Sequence, residues 1–136
     1  MPPQLGELSA ATATPTVLIV EDDPETRSFY LTVFERDGFR IHQAHNGLQA
    51  LEKAIESAPD LIITDIAVPG IDGIELCRRL RADDRTRLIP VLAVTGYDDR
   101  HYPDRVIDAG ANHVLFKPCG PDQLVTEARR LLSLKS

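Results

Sequence analysis

The sequence predicts an α/β domain, a doubly wound (βα)5 arrangement in which helices cover both faces of a parallel five-stranded sheet. Three observations predict it. Five short apolar runs alternate with longer amphipathic segments along the 136-residue chain. The runs are continuously apolar, which marks strands buried on both faces and therefore a parallel sheet. Right-handed crossovers between parallel strands then place helices on both sides.

The elements follow in order. Residues 1 to about 15, "MPPQLGELSAATATP", are small, Pro-containing and aperiodic, and are expected to form a mobile tail. Val17-Leu18-Ile19-Val20 is the first strand and stops at Glu21-Asp22-Asp23. Asp23 suits a helix cap and Pro24 a first turn. Tyr30, Val33 and Phe34 recur at helical spacing, and Gly38 ends that helix. Phe39 to Ala44 reads as the second strand. The second helix starts near Asn46, with Leu48, Leu51 and Ile55 on one face, and stops before Pro59. Leu61-Ile62-Ile63 is the third strand. After the loop around Gly70, Ile74, Cys77 and Leu80 mark the third helix. Leu88 to Thr95 reads as the fourth strand, and Asp104 to Ala109, closed by Gly110, as a short helix. His113 to Phe116 is the fifth strand. Pro121 opens a last helix with Leu124, Ala128 and Leu131 aligned.

Composition narrows the function. The length suits one domain, and 43% apolar with 26% charged residues is an ordinary globular balance. A net charge of −6 argues against a broad nucleic-acid surface. The basic run Arg78, Arg79, Arg81, Arg85 and Arg87 is interrupted by Asp83 and Asp84 and reads as a solvated helix face. Cys77 and Cys119 have no zinc or disulfide-framework spacing, which fits a reduced cytoplasmic compartment. No apolar run approaches the ~20 residues of a membrane span, and the N-terminus does not resemble a signal peptide.

In open α/β sheets, ligands sit beyond the carboxyl ends of the strands. Here those ends carry Glu21-Asp22-Asp23, Asp65, Thr95 and Lys117. The predicted fold gathers several carboxylates, a hydroxyl and an ammonium group at one sheet edge. Clustered carboxylates repel, by about 4 kcal/mol per pair at ~4 Å and an effective dielectric of ~20. A hard divalent cation offsets that repulsion, and Mg2+ suits one or two carboxylates plus a phosphate. Zn2+ more often takes His or Cys, which end none of these strands. A carboxylate beside such a cation can accept a phosphoryl group as an aspartyl-phosphate, and Lys and Thr suit the oxygens of the transferred group. Taken singly, each residue has a plainer reading: Asp22 or Asp23 as a cap, Asp65 and Thr95 as turn residues, Lys117 as a solvated charge. The combination in an alternating β/α chain points to a site. The pair His42-x-x-His45 straddles a strand end and a loop and does not read as a metal pair. His101 and His113 read as surface or packing residues.

The stretches "VLIVEDD", "LIITDIAVPGIDG", "IPVLAVTGYDD" and "AGANHVLFKP" resemble a response-regulator receiver domain in order, context and spacing, from about Thr16 to the C-terminus. The resemblance implies a flavodoxin-like sheet of order 2-1-3-4-5. It implies that Asp65 is the phosphoacceptor. It implies that Glu21, Asp22, Asp65 and the backbone carbonyl of Ala67 hold Mg2+, with Glu21 acting largely through water. Thr95 matches the switch hydroxyl, Lys117 the lysine that pairs with the phosphoryl group, and Gly96 a position kept small. The Lys117-Pro118 bond is often cis in the family. The implied donor is a sensor histidine kinase or histidine phosphotransfer protein. The implied output is a downstream protein target or a phosphorylation-dependent homodimer, through the fourth helix, fifth strand and last helix. The expectation is a cytoplasmic receiver, either stand-alone or part of a longer chain, with neither direct nucleic-acid contact nor membrane insertion.

The chain also departs from the family pattern. Val114 stands three residues before the lysine, where many receivers carry a switch aromatic. Tyr97 or Tyr102 is the expected substitute reporter, by its closeness to Thr95. Cys119 stands where a Phe is common, which loosens packing but spares the chemistry. Competing readings fit less well. A haloacid-dehalogenase-type phosphatase needs a second acid two residues after the nucleophile, where this chain has Ala67, so dephosphorylation is expected to be slow. A flavodoxin-type FMN protein needs a Ser/Thr/Gly-rich phosphate loop, whereas "EDDPET" is acidic. A P-loop motif is missing. A non-phosphorylated scaffold does not account for the intact acidic pair with Asp65, Thr95 and Lys117.

Overall fold

Strand and helix alternate as the apolar pattern demands. The computed structural model describes residues 14–96 and 102–135. Its strands are β1 (Thr16–Val20), β2 (Arg40–Ala44), β3 (Leu61–Asp65), β4 (Val91–Thr95) and β5 (His113–Phe116). Its helices are α1 (Pro24–Arg36), α2 (Gly47–Ser57), α3 (Gly73–Ala82), α4 (Tyr102–Ala109) and α5 (Pro121–Lys135). The expected tail lies, up to residue 13, outside the described residues, as do Tyr97 and His101.

The sheet order is β2-β1-β3-β4-β5, and every neighbouring pair is parallel. The order reverses between β1 and β3, which is where an open α/β sheet leaves a crevice. Register keeps the carboxyl ends flush. Val20 pairs with both Ala44 and Thr64, Asp65 with Val94, and Thr95 with Phe116.

Side chains alternate across each strand and so feed two separate cores. Leu18, Val20, Ile62, Val91 and Ala93 face α2, α3 and α4, meeting Ala50, Ala54, Leu76, Leu80 and Val106. Val17, Ile19, Leu61, Ile63, Leu92, Val94 and Leu115 face α1 and α5, meeting Tyr30, Phe34, Leu124, Ala128 and Leu131. Phe34 and Phe39 pack edge to face at 5.1 Å between ring centroids. Three helices start on carboxyl or amide caps. Asp23 accepts from the Thr26 N–H, Asn46 from Gln49 and Asp72 from Glu75.

Two details differ from the sequence reading. The face of α2 against the sheet is Ala50 and Ala54, while Leu48 is 50% exposed and Leu51 only borders the core. Small residues let the helix approach closely. An added Cβ at Gly47 would lie 2.1 Å from the Ile71 carbonyl oxygen. The fourth strand begins at Val91 rather than Leu88, because Pro90 cannot donate to a ladder; its carbonyl instead accepts from the Ile62 N–H.

The basic run holds more structure than a solvated face requires. Arg78 and Arg79 pair with Glu75, Arg85 with Asp83 and Arg87 with Asp84, all exposed. Arg81 is different. Its guanidinium donates to the carbonyls of Arg87, Ile89 and Gly110 and to Asn112 Oδ1. Asn112 Oδ1 also accepts from the Val91 N–H, so one cluster ties α3 to the starts of β4 and β5.

Candidate functional site

Flush strand ends bring residues remote in sequence to one crevice. Asp65 ends β3, and Lys117 follows β5. The Lys117 ammonium donates to Asp65 Oδ2 at 2.6 Å and lies 3.5 Å from Glu21 Oε1. Asp65 Oδ1 accepts from the Ala67 N–H at 3.1 Å, which fixes the carboxylate from its other side. The Lys117 N–H donates to the Thr95 carbonyl at 2.7 Å, so the lysine backbone is held by the end of β4. The Lys117-Pro118 bond is cis.

Glu21 is the buried member of the acidic pair, at 1% exposure, and Asp22 is exposed. Glu21 Oε2 accepts from the Asp23 N–H at 3.0 Å. Among the described residues, Glu21 Oε1 is buried with no hydrogen-bond partner, with the Lys117 ammonium 3.5 Å away. Burial pushes the Glu21 carboxyl above the ordinary glutamate range, against the Asp23 hydrogen bond and the Lys117 charge. Burial alone would pull the Lys117 ammonium down, but the carboxylates of Asp65 and Glu21 outweigh it and hold it above the ordinary lysine range. Thr95 is buried at the end of β4, at 4% exposure.

The loop after β3 is set by close backbone approach. Thr64 donates its hydroxyl to the Asp65 carbonyl at 2.8 Å, and the Gly73 N–H donates to the Ile66 carbonyl at 2.8 Å. A Cβ on Gly73 would meet Ile66 Cα at 2.8 Å and the Asp65 carbonyl oxygen at 2.9 Å. The start of α3 therefore lies against the backbone that carries Asp65. Sequence reading found the charged groups of the site but not Gly73, whose signal is only a Gly directly after the Asp72 cap. On the other side of Lys117, a groove of about 520 Å3 is lined by Thr26, Phe29, Tyr30, Pro118 and Cys119. Cys119 packs against the core under α1 and α5.

The donors suit a hard, oxygen-seeking cation, since a buried carboxylate oxygen is left without a hydrogen bond beside a second carboxylate. Among the described residues, no three His, Cys, Asp or Glu side chains converge into a cage. Mg2+ keeps several waters and does not need one. His42 and His45 join no such group.

This fold and strand-end site define a receiver-type α/β signalling domain. Residues 17–129 match the family described as the response regulator receiver domain, and the chain belongs to that family. It is 34% identical over 120 residues to the sporulation initiation phosphotransferase F of Bacillus subtilis, covering 88% of this chain and 95% of that protein. It is 35% identical over 118 residues to the DNA-binding dual master transcriptional regulator RpaA of Synechocystis, covering 87% of this chain. The chain spans about half the length of that regulator, 49%. Among solved structures, it resembles the receiver domain of a sensor histidine kinase from Pseudomonas aeruginosa, with magnesium coordinated in its active-site cleft. That match has a TM-score of 0.83 and 27% identity, over 89% of this chain and 99% of the other. The protein is thus a receiver domain of two-component signalling. Among the described residues, no helix is long and apolar enough to cross a membrane.

Proposed function

We propose that Asp65 accepts a phosphoryl group from a phosphohistidine of a sensor kinase or phosphotransfer protein. The observation that carries this reading is the Lys117 ammonium 2.6 Å from Asp65 Oδ2 and 3.5 Å from the buried Glu21 Oε1. An Asp65 carboxylate oxygen forms the new bond to phosphorus as the donor's P–N bond breaks. The departing imidazole nitrogen takes a proton. Glu21, Asp22, Asp65 and the Ala67 carbonyl would hold Mg2+, which supplies neutralisation of the charge on the phosphoryl oxygens. Lys117 gives up its contact with the Asp65 carboxylate for the new phosphoryl oxygens, and the Thr95 hydroxyl donates to another. The apolar groove beside Lys117 offers a protein donor a surface next to the acceptor.

The product adds roughly −1.5 to −2 of charge at a site that already holds two carboxylates. That charge biases a two-state equilibrium at the end of β4, and the altered surface is α4, β5 and α5. Position 67 is an alanine, so no side-chain base stands there to activate water, and the phosphoryl group is lost slowly.

The test is to incubate the protein and its Asp65→Asn variant with acetyl phosphate and Mg2+ and follow intact mass. A phosphoryl adduct on the wild type alone supports the reading. Equal adducts on both, or none on the wild type, overturn it.

A further inference from the structure

The acidic turn after β1 is gripped by an arginine that belongs to the helix following it. The chain leaves β1 at Val20 and passes through Glu21, Asp22 and Asp23 into α1. The Glu21 N–H donates to the Ala44 carbonyl of β2 at 3.0 Å, so the start of the turn is tied to the sheet. The Asp23 carboxylate caps α1, so the end of the turn is tied to the helix. Asp22 lies between these ties and is exposed. Among the described residues, no hydrogen bond holds the Asp22 carboxylate. Its direction is therefore set by its main chain.

Arg27 holds that main chain. It stands in the first turn of α1, where its own N–H donates to the Asp23 carbonyl at 2.9 Å. Its side chain reaches back past the start of the helix. Arg27 Nη1 donates to the Glu21 carbonyl at 3.0 Å and makes a weaker bond to the Asp22 carbonyl at 3.4 Å. The first carbonyl belongs to the planar peptide before the Asp22 Cα, and the second to the peptide after it. Holding both planes fixes the two backbone dihedrals of Asp22. Helix stability does not account for an arginine here, because a cation at a helix start opposes the macrodipole. The guanidinium also differs from the Lys117 ammonium in its acceptors. Lys117 binds carboxylate oxygens, whereas Arg27 binds carbonyls and leaves the Asp22 carboxylate free to take a cation.

We propose that Arg27 is a positioning residue of the strand-end site, its guanidinium fixing the backbone of Asp22 and so aiming that carboxylate at Mg2+. This inference rests on the proposed Mg2+ ligation by Asp22. Arg27 touches neither the phosphoryl group nor the metal. It acts only through the peptide units on either side of Asp22.

The experiment is a calorimetric titration of the full chain with Mg2+ alone, for the wild type, Arg27→Met and Arg27→Lys, with folding of each checked by circular dichroism and urea unfolding. Charge and geometry predict opposite signs. Removing a positive charge beside the acids tightens Mg2+ binding, whereas losing the grip on Asp22 weakens it. The expected result is a dissociation constant raised about 10–100-fold in Arg27→Met, the range for groups that orient metal ligands. Arg27→Lys keeps the charge but not the planar fork and should also bind more weakly than the wild type. Unchanged or tighter binding in folded Arg27→Met overturns the inference, even where its urea midpoint falls, because a merely structural role lowers stability and leaves the affinity alone. Wild-type affinity in Arg27→Lys overturns it too, since charge would then suffice. Absence of Mg2+ binding by the wild type strikes instead at the proposed ligand set, and this inference falls with it.

Discussion

The Lys117 ammonium bridges two carboxylates, bonded to Asp65 at 2.6 Å and facing Glu21 at 3.5 Å. It is the cation that lets two acids share a largely buried crevice. Lys117→Met should leave those acids facing each other and lower stability at neutral pH by about 1–3 kcal/mol in the absence of Mg2+. Urea unfolding checks this, and added Mg2+ should restore part of the loss.

Glu21 gives a pH dependence whose sign can be worked out. Its folded-state pKa is raised by burial, so folding favours the protonated form. That contribution is full below the ordinary glutamate value of 4.5 and is lost as pH rises through the folded value. Glu21→Gln should therefore stabilise the Mg2+-free protein at pH 7, with the gain shrinking toward pH 4. Thermal unfolding in chelator across that range is the measurement; a gain independent of pH would assign it to something other than the charge.

The same carboxyl must be ionised to serve a cation. Mg2+ binding should weaken on acidification from a pH above the usual glutamate range, approaching about tenfold per pH unit once Glu21 is protonated. Calorimetric titrations in buffers of different ionisation enthalpy should also show proton release.

Gly73→Ala should both destabilise and misplace the site. The added methyl would meet backbone at 2.8 and 2.9 Å, including the Asp65 carbonyl, and backbone has to shift. Overpacking of this kind costs about 1–3 kcal/mol. The rate of adduct formation from acetyl phosphate should fall with it, unlike for a substitution remote from the crevice.

Arg81→Lys provides that remote comparison. An ammonium cannot reproduce the fork that reaches Arg87, Ile89, Gly110 and Asn112 together. The expected loss is about 1–3 kcal/mol in urea unfolding, with the rate of adduct formation on the folded protein unchanged.

The legible part of this protein was whatever periodicity and topology determine. Continuous apolar runs gave a parallel sheet, and a parallel sheet decides where Glu21, Asp65, Thr95 and Lys117 meet. Less legible were features set by distance of approach. Leu48 outranks Ala50 in apolar size, yet Ala50 is the buried residue against the sheet and Leu48 is half exposed. Gly73 carries no chemistry and is fixed by the backbone of Asp65 and Ile66, on the far side of the intervening loop. Arg81 sits among four other arginines, and only the folded contacts distinguish it. Tyr97 and the Tyr102 side chain lie outside the described residues, so the structure does not address them as reporters.

The sheet separates two cores that share no side-chain layer, one under α2, α3 and α4 and one under α1 and α5. Substitutions on opposite sides that lie more than about 7–10 Å apart should combine additively. In evolutionary terms, the sheet is a party wall: the rooms on either side can be refurnished separately, provided the row of polar groups along its upper edge is left standing.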